Sequence, residues 1–146
     1  MTKRSTTHAT FAIERDYPHS PEKVFAAFAN PQSKAKWFGG PDDWAKSNHK
    51  LDFRVGGKES VSGGPPGGAV HAYSATIWDI VENERIVLAY DMHLDAQRIS
   101  VSLATTEIKP TASGARLMYT EQGVYLDGYD DAGQREEGTQ QLFSQL

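Results

Sequence analysis

Hydrophobic and polar residues alternate along much of the chain. In the stretch ATFAIERDYP, Phe11 and Ile13 alternate with Ala12 and Glu14, which predicts a strand with one buried face that ends at Pro18. The same period of two recurs from about residue 43 to 126, where Gly, Pro and Asn residues mark turns. This pattern predicts a run of about six or seven strands with short connections, which is typical of an antiparallel meander.

Two short helices are predicted directly after the first strand. In HSPEKVFAAFANP, Ser20 is a natural N-cap and Pro21 occupies the first helical position. The apolar residues Val24, Phe25 and Phe28 lie on one side of this helix. QSKAKWF predicts a second short helix, which runs into the sequence Gly39-Gly40-Pro41 and stops there.

The end of the chain predicts a third helix. Asp130 or Asp131 can cap it, and its apolar side includes Leu142, Phe143 and Leu146. An antiparallel sheet with one apolar face needs a cover, and this helix is the predicted element long enough to supply it. The sequence therefore predicts a single α+β domain over residues 1–146.

Composition and charge narrow the function classes. The chain has 146 residues, a net charge of −4 and no cysteine. Without a basic cluster, neither a nucleic-acid nor a membrane partner has electrostatic support. Lack of cysteine excludes thiol catalysis, disulfides and thiolate metal sites. The start MTKRSTTHATF has no apolar stretch of a secretory signal, and no segment is long enough to span a membrane, so we expect a cytoplasmic protein.

Several segments resemble a known superfamily. SPEKVFAAFANPQSKAKWFG, LDFRVGGK and TIWDIVENERIVLAY are similar to the START-like or SRPBCC superfamily. Within it they most resemble the branch of homologues of the activator of the heat-shock-protein-90 ATPase, which is also described as polyketide-cyclase-like. The resemblance extends over residues 8 to 146. It differs from the usual pattern at Glu82-Asn83, where two prolines are common, and at Gly138-Thr139, where Gly-Trp is common.

The resemblance implies a helix-grip fold and a class of ligand. The expected fold is a curved antiparallel sheet of six to seven strands around the C-terminal helix, with two short helices after strand 1. Between sheet and helix, such proteins commonly hold a lipid, sterol, polyketide or other apolar molecule. Members range from carriers to cyclases to chaperone partners, so the fold alone does not select a function.

Candidate ligand-binding residues are those expected on the concave face of the sheet or at its mouth. Tyr73, Tyr90 and Tyr119 would supply polar groups in an otherwise apolar lining. Trp37 and Phe38 would form an aromatic rim with Gly39 and Gly40 as a hinge. The alternative is that all of these side chains are ordinary core. The predicted set is Trp37, Phe38, Phe53, Val55, Tyr73, Leu88, Tyr90, Met92, Leu103, Leu117, Tyr119 and Leu142, with Val101 expected on the same face.

Titratable residues on the strands are the catalytic candidates. They are His71, Asp91, His93, Arg98, Glu107 and Glu121. Glu121 shares a face with Leu117 and Tyr119, which makes it the first choice for an acid or base, with Tyr119 and His93 as further candidates. The alternative for Glu121 is an ion pair with Arg98 or Arg54.

No metal or cofactor is expected. His71 and His93 lie on different strands, and no carboxylate stands at a spacing diagnostic of a metal site. The glycine-rich SGGPPGG lacks the ending of a phosphate loop.

Three functions remain open from the sequence. The first is a binding module for a small apolar ligand. The second is a cyclase, dehydratase or hydrolase that acts on an apolar ketide or aromatic substrate. The third is an interaction domain with a chaperone partner, favoured if the convex surface carries a large apolar patch. Such a patch would equally support a homodimer.

Overall fold

The computed structural model describes residues 3–39, 43–46 and 48–146, so Gly40 and Pro41 of the predicted helix stop lie outside the described residues. Within these described residues, eleven elements occur in chain order. They are β1 (Thr6–Tyr17), α1 (Pro21–Ala29), α2 (Pro31–Ala35), β2 (Ala45–Lys46), β3 (Lys50–Leu51), β4 (Lys58–Gly64), β5 (His71–Val81), β6 (Arg85–Leu94), β7 (Gln97–Thr111), β8 (Gly114–Leu126) and α3 (Ala132–Phe143).

The strands form one antiparallel sheet. Its order is β1-β8-β7-β6-β5-β4-β2, and β3 pairs with β4. β5 to β8 are neighbours along the chain and in the sheet, as expected of a meander, whereas β1 pairs with the last strand over its whole length. β2 and β3 have two residues each, so the sheet consists mainly of six long strands. The predicted helix-grip architecture is confirmed.

Local capping explains where the helices begin. Ser20 Oγ accepts a hydrogen bond from the Lys23 amide at 3.2 Å, and Pro21 follows as predicted. Asn30 ends α1 and caps α2, because its Oδ1 accepts from the amides of Gln32 and Ser33 at 2.9 and 3.1 Å. At the start of α3, Asp131 Oδ1 accepts from the Gln134 amide at 2.9 Å. Each cap is a short-range pattern that the sequence already displays.

The core lies between the three helices and one side of the sheet, which we call the inner face. Phe11, Ile13 and Leu117 from the sheet are buried there against Phe25 and Phe28 of α1. The opposite side, the outer face, is open to solvent at Val101 and Leu103.

Helix α3 is held mainly near its two ends. Phe143 is the only buried residue in it. Its ring lies 6.1 Å from Phe28, 6.0 Å from Trp37 and 5.1 Å from Tyr119. The Tyr17 hydroxyl also donates to the Phe143 carbonyl at 2.7 Å. Two turns earlier, Arg135 reaches the inner face. A 12-residue helix is marginal in isolation, so these contacts stabilise it.

Candidate functional site

Trp37 and Phe38 have different environments. Trp37 is 5% exposed, packs edge-on against Phe28 at 5.0 Å, and donates from Nε1 to the Ala27 carbonyl at 3.0 Å. It is therefore a core residue. Phe38 is half-buried and lies 4.9 Å from Tyr73 on the inner face. Gly39 follows at φ 117°, a conformation that favours glycine.

A buried carboxylate lies beneath Phe38. Both oxygens of Glu59 are 2.8 Å from Lys34 Nζ, and Oε2 is 2.6 Å from His49 Nε2. The Tyr73 hydroxyl donates to Oε1 at 3.1 Å. The Glu59 and Lys34 side chains are only 0% and 7% exposed. We call Lys34, His49, Glu59 and Tyr73 the Glu59 cluster.

The two charges of this cluster stabilise each other. Burial alone would raise the pKa of Glu59, but Lys34 and the hydrogen bond from His49 outweigh burial and lower it. Burial also lowers the pKa of Lys34, against the opposing effect of Glu59. His49 Nδ1 is buried and has no hydrogen-bond partner in the described residues.

A second buried carboxylate, Glu121, lies on β8, on the same inner face of the sheet as Glu59. Tyr119 donates to its Oε1 at 2.6 Å and Tyr90 donates to Oε2 at 2.8 Å. Arg135 of α3 donates to the Tyr90 hydroxyl at 2.9 Å and to Ser100 Oγ at 2.8 Å, and it lies 3.5 Å from Glu121 Oε2. The Glu121 side chain is fully buried. We call Tyr90, Ser100, Tyr119, Glu121 and Arg135 the Glu121 cluster.

The two clusters meet through tyrosines. The rings of Tyr73 and Tyr90 lie 4.9 Å apart, with one hydroxyl on each carboxylate. Burial, reinforced by the nearby carboxylates, raises the pKa of Tyr73 and Tyr119. Burial also raises the pKa of Tyr90, although Arg135 opposes it. Tyr73, Tyr90 and Tyr119, the inner tyrosines, are therefore neutral hydrogen-bond donors around neutral pH.

Side chains fill the space beside the Glu59 cluster. An enclosed cavity there has a volume of about 20 Å³ and is lined by Phe28, Lys34, Glu59, Leu88 and Thr106, with other residues. That volume holds about one water molecule. A ligand of several heavy atoms enters this region only if side chains or a helix move.

Most other predicted lining residues do face the core. Leu117 is fully buried, and Leu142 packs against the main core. Leu88 and Met92 pack against the smaller core group that contains Tyr90. Phe53 contacts Phe25 edge-on at 5.7 Å. Their inward placement agrees with the expected alternation, while their ligand-binding role stays a prediction.

The predicted inward placement is wrong for Val55 and Leu103. The strand expected around Val55 ends at Leu51 and the chain turns, as the bond from the Gly57 amide to the Arg54 carbonyl shows, so Val55 is 58% exposed. Leu103 is 41% exposed on the outer face, together with Val101.

A bulge explains the error at Leu103. β6 and β7 pair Met92 with Ser100 and His93 with Arg98, so Ile99 is an extra residue in β7. Both Ile99 and Ser100 are buried, and the inward positions then continue as Ser102 and Ala104. An alternation counted from Ile99 therefore assigns Leu103 to the wrong face.

The catalytic candidates do not converge. Asp91 pairs with Arg98 at 3.0 Å, and His93 Nδ1 lies 3.7 Å from Asp91, all away from the inner face that Tyr90 and Met92 share. The predicted partners of Glu121 are also wrong: Arg98 pairs with Asp91, and Arg54 pairs with Asp52 at 2.7 Å. The cation beside Glu121 is Arg135.

Remaining candidates lie elsewhere. His71 stacks on Trp44 at 4.8 Å. Glu107 lies opposite Arg85 in the β6–β7 register. Among the predicted acid–base residues, Glu121 and Tyr119 are thus the two that the structure brings into contact on the inner face.

Sequence reasoning missed Lys34, His49, Glu59, Ser100 and Arg135. One signal was available: in KESVSGG, Glu59 has the same parity as Val61, so a charged residue shares an inward face. Arg135 follows an N-cap on a largely polar helix, and nothing local distinguishes it from a solvated residue. Its partners on the sheet, Ser100 and Tyr90, are 35 and 45 residues away in the chain, although Asp130 is only five residues away.

The curved sheet, the covering helix and the polar groups buried between them define a helix-grip protein. The family model described as "Activator of Hsp90 ATPase homolog 1-like protein" matches residues 18–146, and the chain belongs to this family. Membership of this family points to a ligand-binding or chaperone-interacting domain. A comparison with curated proteins finds no match.

Solved structures agree with the family assignment. An uncharacterized protein from Rhizobium leguminosarum has 41% identity and a TM-score of 0.93, covering 99% of this chain and 95% of its own. The Mll3558 protein from Rhizobium loti has 44% identity and a TM-score of 0.88, with 96% and 95% covered. The AHSA1 protein SPO3351 from Silicibacter pomeroyi shares the fold at 22% identity and a TM-score of 0.76, with 94% of each chain covered. In the part of the chain described here, no helix is long and apolar enough to cross a membrane.

Proposed function

We propose that this protein binds a small, mostly apolar molecule between the inner face of the sheet and α3. The observation that carries the proposal is the lining of that face: apolar side chains surround two buried carboxylates, which accept hydrogen bonds from the inner tyrosines. An apolar lining with a few oriented polar groups is the usual composition of a small-molecule site.

Entry of the ligand requires α3 or nearby side chains to shift. Since the enclosed cavity by Glu59 has about 20 Å³, the conformation described here is a closed one. Helix α3 is suited to move because it buries one residue, Phe143, and reaches the inner face near its start through Arg135. The energetic requirement is that ligand contacts replace those of α3.

Native mass spectrometry of freshly purified protein, followed by denaturing extraction, tests the proposal. We expect a stoichiometric apolar molecule to co-purify. The Leu88→Phe variant should reduce its occupancy, because Leu88 lines the inner cavity. The matched control is Leu103→Phe, which enlarges an exposed residue on the outer face. Equal occupancy in both variants, or a wild-type protein that carries no molecule and binds no apolar probe such as Nile red, would refute the proposal.

Proton transfer is the second candidate function, favoured by the contact of Glu121 with two phenols. A cyclase or dehydratase needs a base and a hydrogen-bond donor at one carbonyl, and Glu121 with Tyr119 would supply them. Both carboxylate oxygens are engaged, so a substrate would have to displace one phenol. Glu121→Gln should then abolish turnover; full turnover in that variant would exclude this function.

A further inference from the structure

The buried negative charges lie on the sheet, and the buried positive charges that pair with them lie on the helices. Among the sheet side chains that the structure describes, the two fully buried charged ones, Glu59 and Glu121, are both carboxylates. Their cations come from the covering helices, Lys34 from α2 and Arg135 from α3. When a helix moves away, the inner face therefore keeps a negative charge and loses its compensation. A ligand that restores a positive charge is favoured over a neutral one, because an unpaired buried charge is costly.

The surroundings of Arg135 form a recognition site for a cation. Its guanidinium donates to Tyr90, Ser100 and Asp130 at 2.8 to 2.9 Å. Its Cζ lies 5.7 Å from the Tyr90 ring centroid and 5.5 Å from that of Tyr125. Aromatic rings and a carboxylate arranged around one positive group are the features by which proteins recognise guanidinium and ammonium ligands.

This site has hydrogen-bonding capacity that Arg135 does not use. Ser102 is 3% exposed, and its Oγ has no partner in the described residues. In register it lies between Tyr90 and Gly123, with the inward parity of Ser100. A side chain at Gly123 would place its Cβ 3.0 Å from this oxygen and 3.4 Å from the Tyr125 ring, so glycine lets the ring and the hydroxyl lie close together. A buried unpaired hydroxyl costs free energy that a donor on a ligand would recover.

We propose that the Glu121 cluster without Arg135, that is Tyr90, Ser100, Tyr119 and Glu121, together with Tyr125 and Ser102, binds the guanidinium or ammonium group of an otherwise apolar ligand. Arg135 occupies the same position in the closed conformation and is displaced with α3 when the ligand enters. This inference rests on the proposed function and specifies its ligand as an amphipathic cation. Because Arg135 belongs to the same chain as the site, it competes with a ligand intramolecularly.

Calorimetric titration with n-butylguanidine tests this proposal, and n-butylurea serves as the neutral probe of nearly the same shape. In Arg135→Ala the competing group is absent. We expect this variant to bind n-butylguanidine at least about tenfold more tightly than the wild type, which corresponds to about 1.4 kcal/mol. The urea should show no comparable gain. Arg98→Ala, which removes an arginine from an outer-face ion pair, is the matched control and should bind like the wild type.

Charge recognition is tested by adding Glu121→Gln to Arg135→Ala. The double variant should lose most of the gained affinity. The proposal is overturned if Arg135→Ala binds the two probes equally, if it binds neither, or if the double variant binds n-butylguanidine as well as the single one does.

A measurement on the wild type keeps the test decisive if Arg135→Ala does not fold. Saturating n-butylguanidine should speed hydrogen exchange in residues 132–143, whereas n-butylurea should not. Unchanged exchange with both probes would overturn the displacement of α3. If the wild type instead carries a neutral apolar molecule that n-butylguanidine does not displace, the proposed function stands and the cation inference fails.

Discussion

Removing one charge of the Lys34–Glu59 pair tests the energetics of the inner face most directly. Lys34→Met leaves Glu59 buried without its cation, and Glu59→Gln leaves the Lys34 ammonium without its carboxylate. With side chains 7% and 0% exposed, neither group recovers hydration from solvent. Breaking a buried pair from one side costs about 3–5 kcal/mol of unfolding free energy, so we expect each single variant to lose about that much.

The double variant distinguishes a pair from two independent contributions. Replacing both charges leaves no uncompensated ion, and such replacements are often close to neutral. Lys34→Met/Glu59→Gln should therefore lose less than either single variant, whereas additive losses would reach about 6–10 kcal/mol. The Gln side chain keeps a group that can bond to Tyr73 and His49, which makes the substitution conservative in shape.

The loss of unfolding free energy in the Glu59→Gln variant should depend on pH. The pKa of Glu59 is lowered in the folded state, so its contribution is present above its unfolded pKa and is lost as pH falls through the folded value. The Glu59→Gln penalty should thus shrink in acid. It should also shrink in base, because burial lowers the pKa of Lys34 and lets it become neutral.

Urea unfolding at several pH values, followed by tryptophan fluorescence, measures these losses. A loss of less than about 1 kcal/mol of unfolding free energy in each single variant, the median for exposed pairs, would refute the prediction. It is equally refuted if the two losses add.

Three further predictions follow from the contacts of α3 and the inner tyrosines. Phe143→Ala should cost about 3–5 kcal/mol in urea unfolding and speed hydrogen exchange throughout α3; a loss below about 1 kcal/mol with α3 protected would contradict the anchoring role. In an ultraviolet titration, Tyr125 should ionise near pH 12 because burial raises its pKa to about 12. The inner tyrosines should ionise only on unfolding. If they ionise in the folded protein at a lower pH than Tyr125 does, they are not buried as described. Ser102→Ala should leave stability unchanged or improve it, whereas Ser100→Ala should lose about 1 kcal/mol because it removes an acceptor of Arg135. If thermal melts show a larger loss for Ser102→Ala than for Ser100→Ala, Ser102 has a hydrogen-bond partner.

Local patterns were sufficient to predict the fold but not the site. Caps such as Ser20 and Asp131 act over three residues, and strand alternation acts over two, so both can be recognised from sequence. The Glu59 cluster instead joins side chains from α2, β4, β5 and the segment before β3, 10 to 25 residues apart. Such contacts depend on how the sheet and helices pack.

Two details show where pattern reading fails physically. Counting alternate residues from Ile99 predicts that Leu103 points inward. This is wrong because the sequence pattern does not reveal the bulge, which adds one residue to β7. Glu121 and Tyr119 were predicted to share a face, and their 2.6 Å hydrogen bond agrees with that, but their cation was sought on strands and comes from α3. Residues i and i+2 of one strand are predictable neighbours, whereas a partner on another element is not.

The pairing of β1 with β8 has a consequence for synthesis on the ribosome. Thr6 lies opposite Leu126 and Tyr17 opposite Ala115, so the first strand has no neighbour until the last one has been translated. At about 5–20 residues per second, that interval is roughly 5 to 20 s. During it, Phe11 and Ile13 remain on an unpaired strand, which exposes a template for association between nascent chains. Polysomes are thus where we expect this chain to depend most on holding factors, since the first strand is the last long strand to find its neighbour.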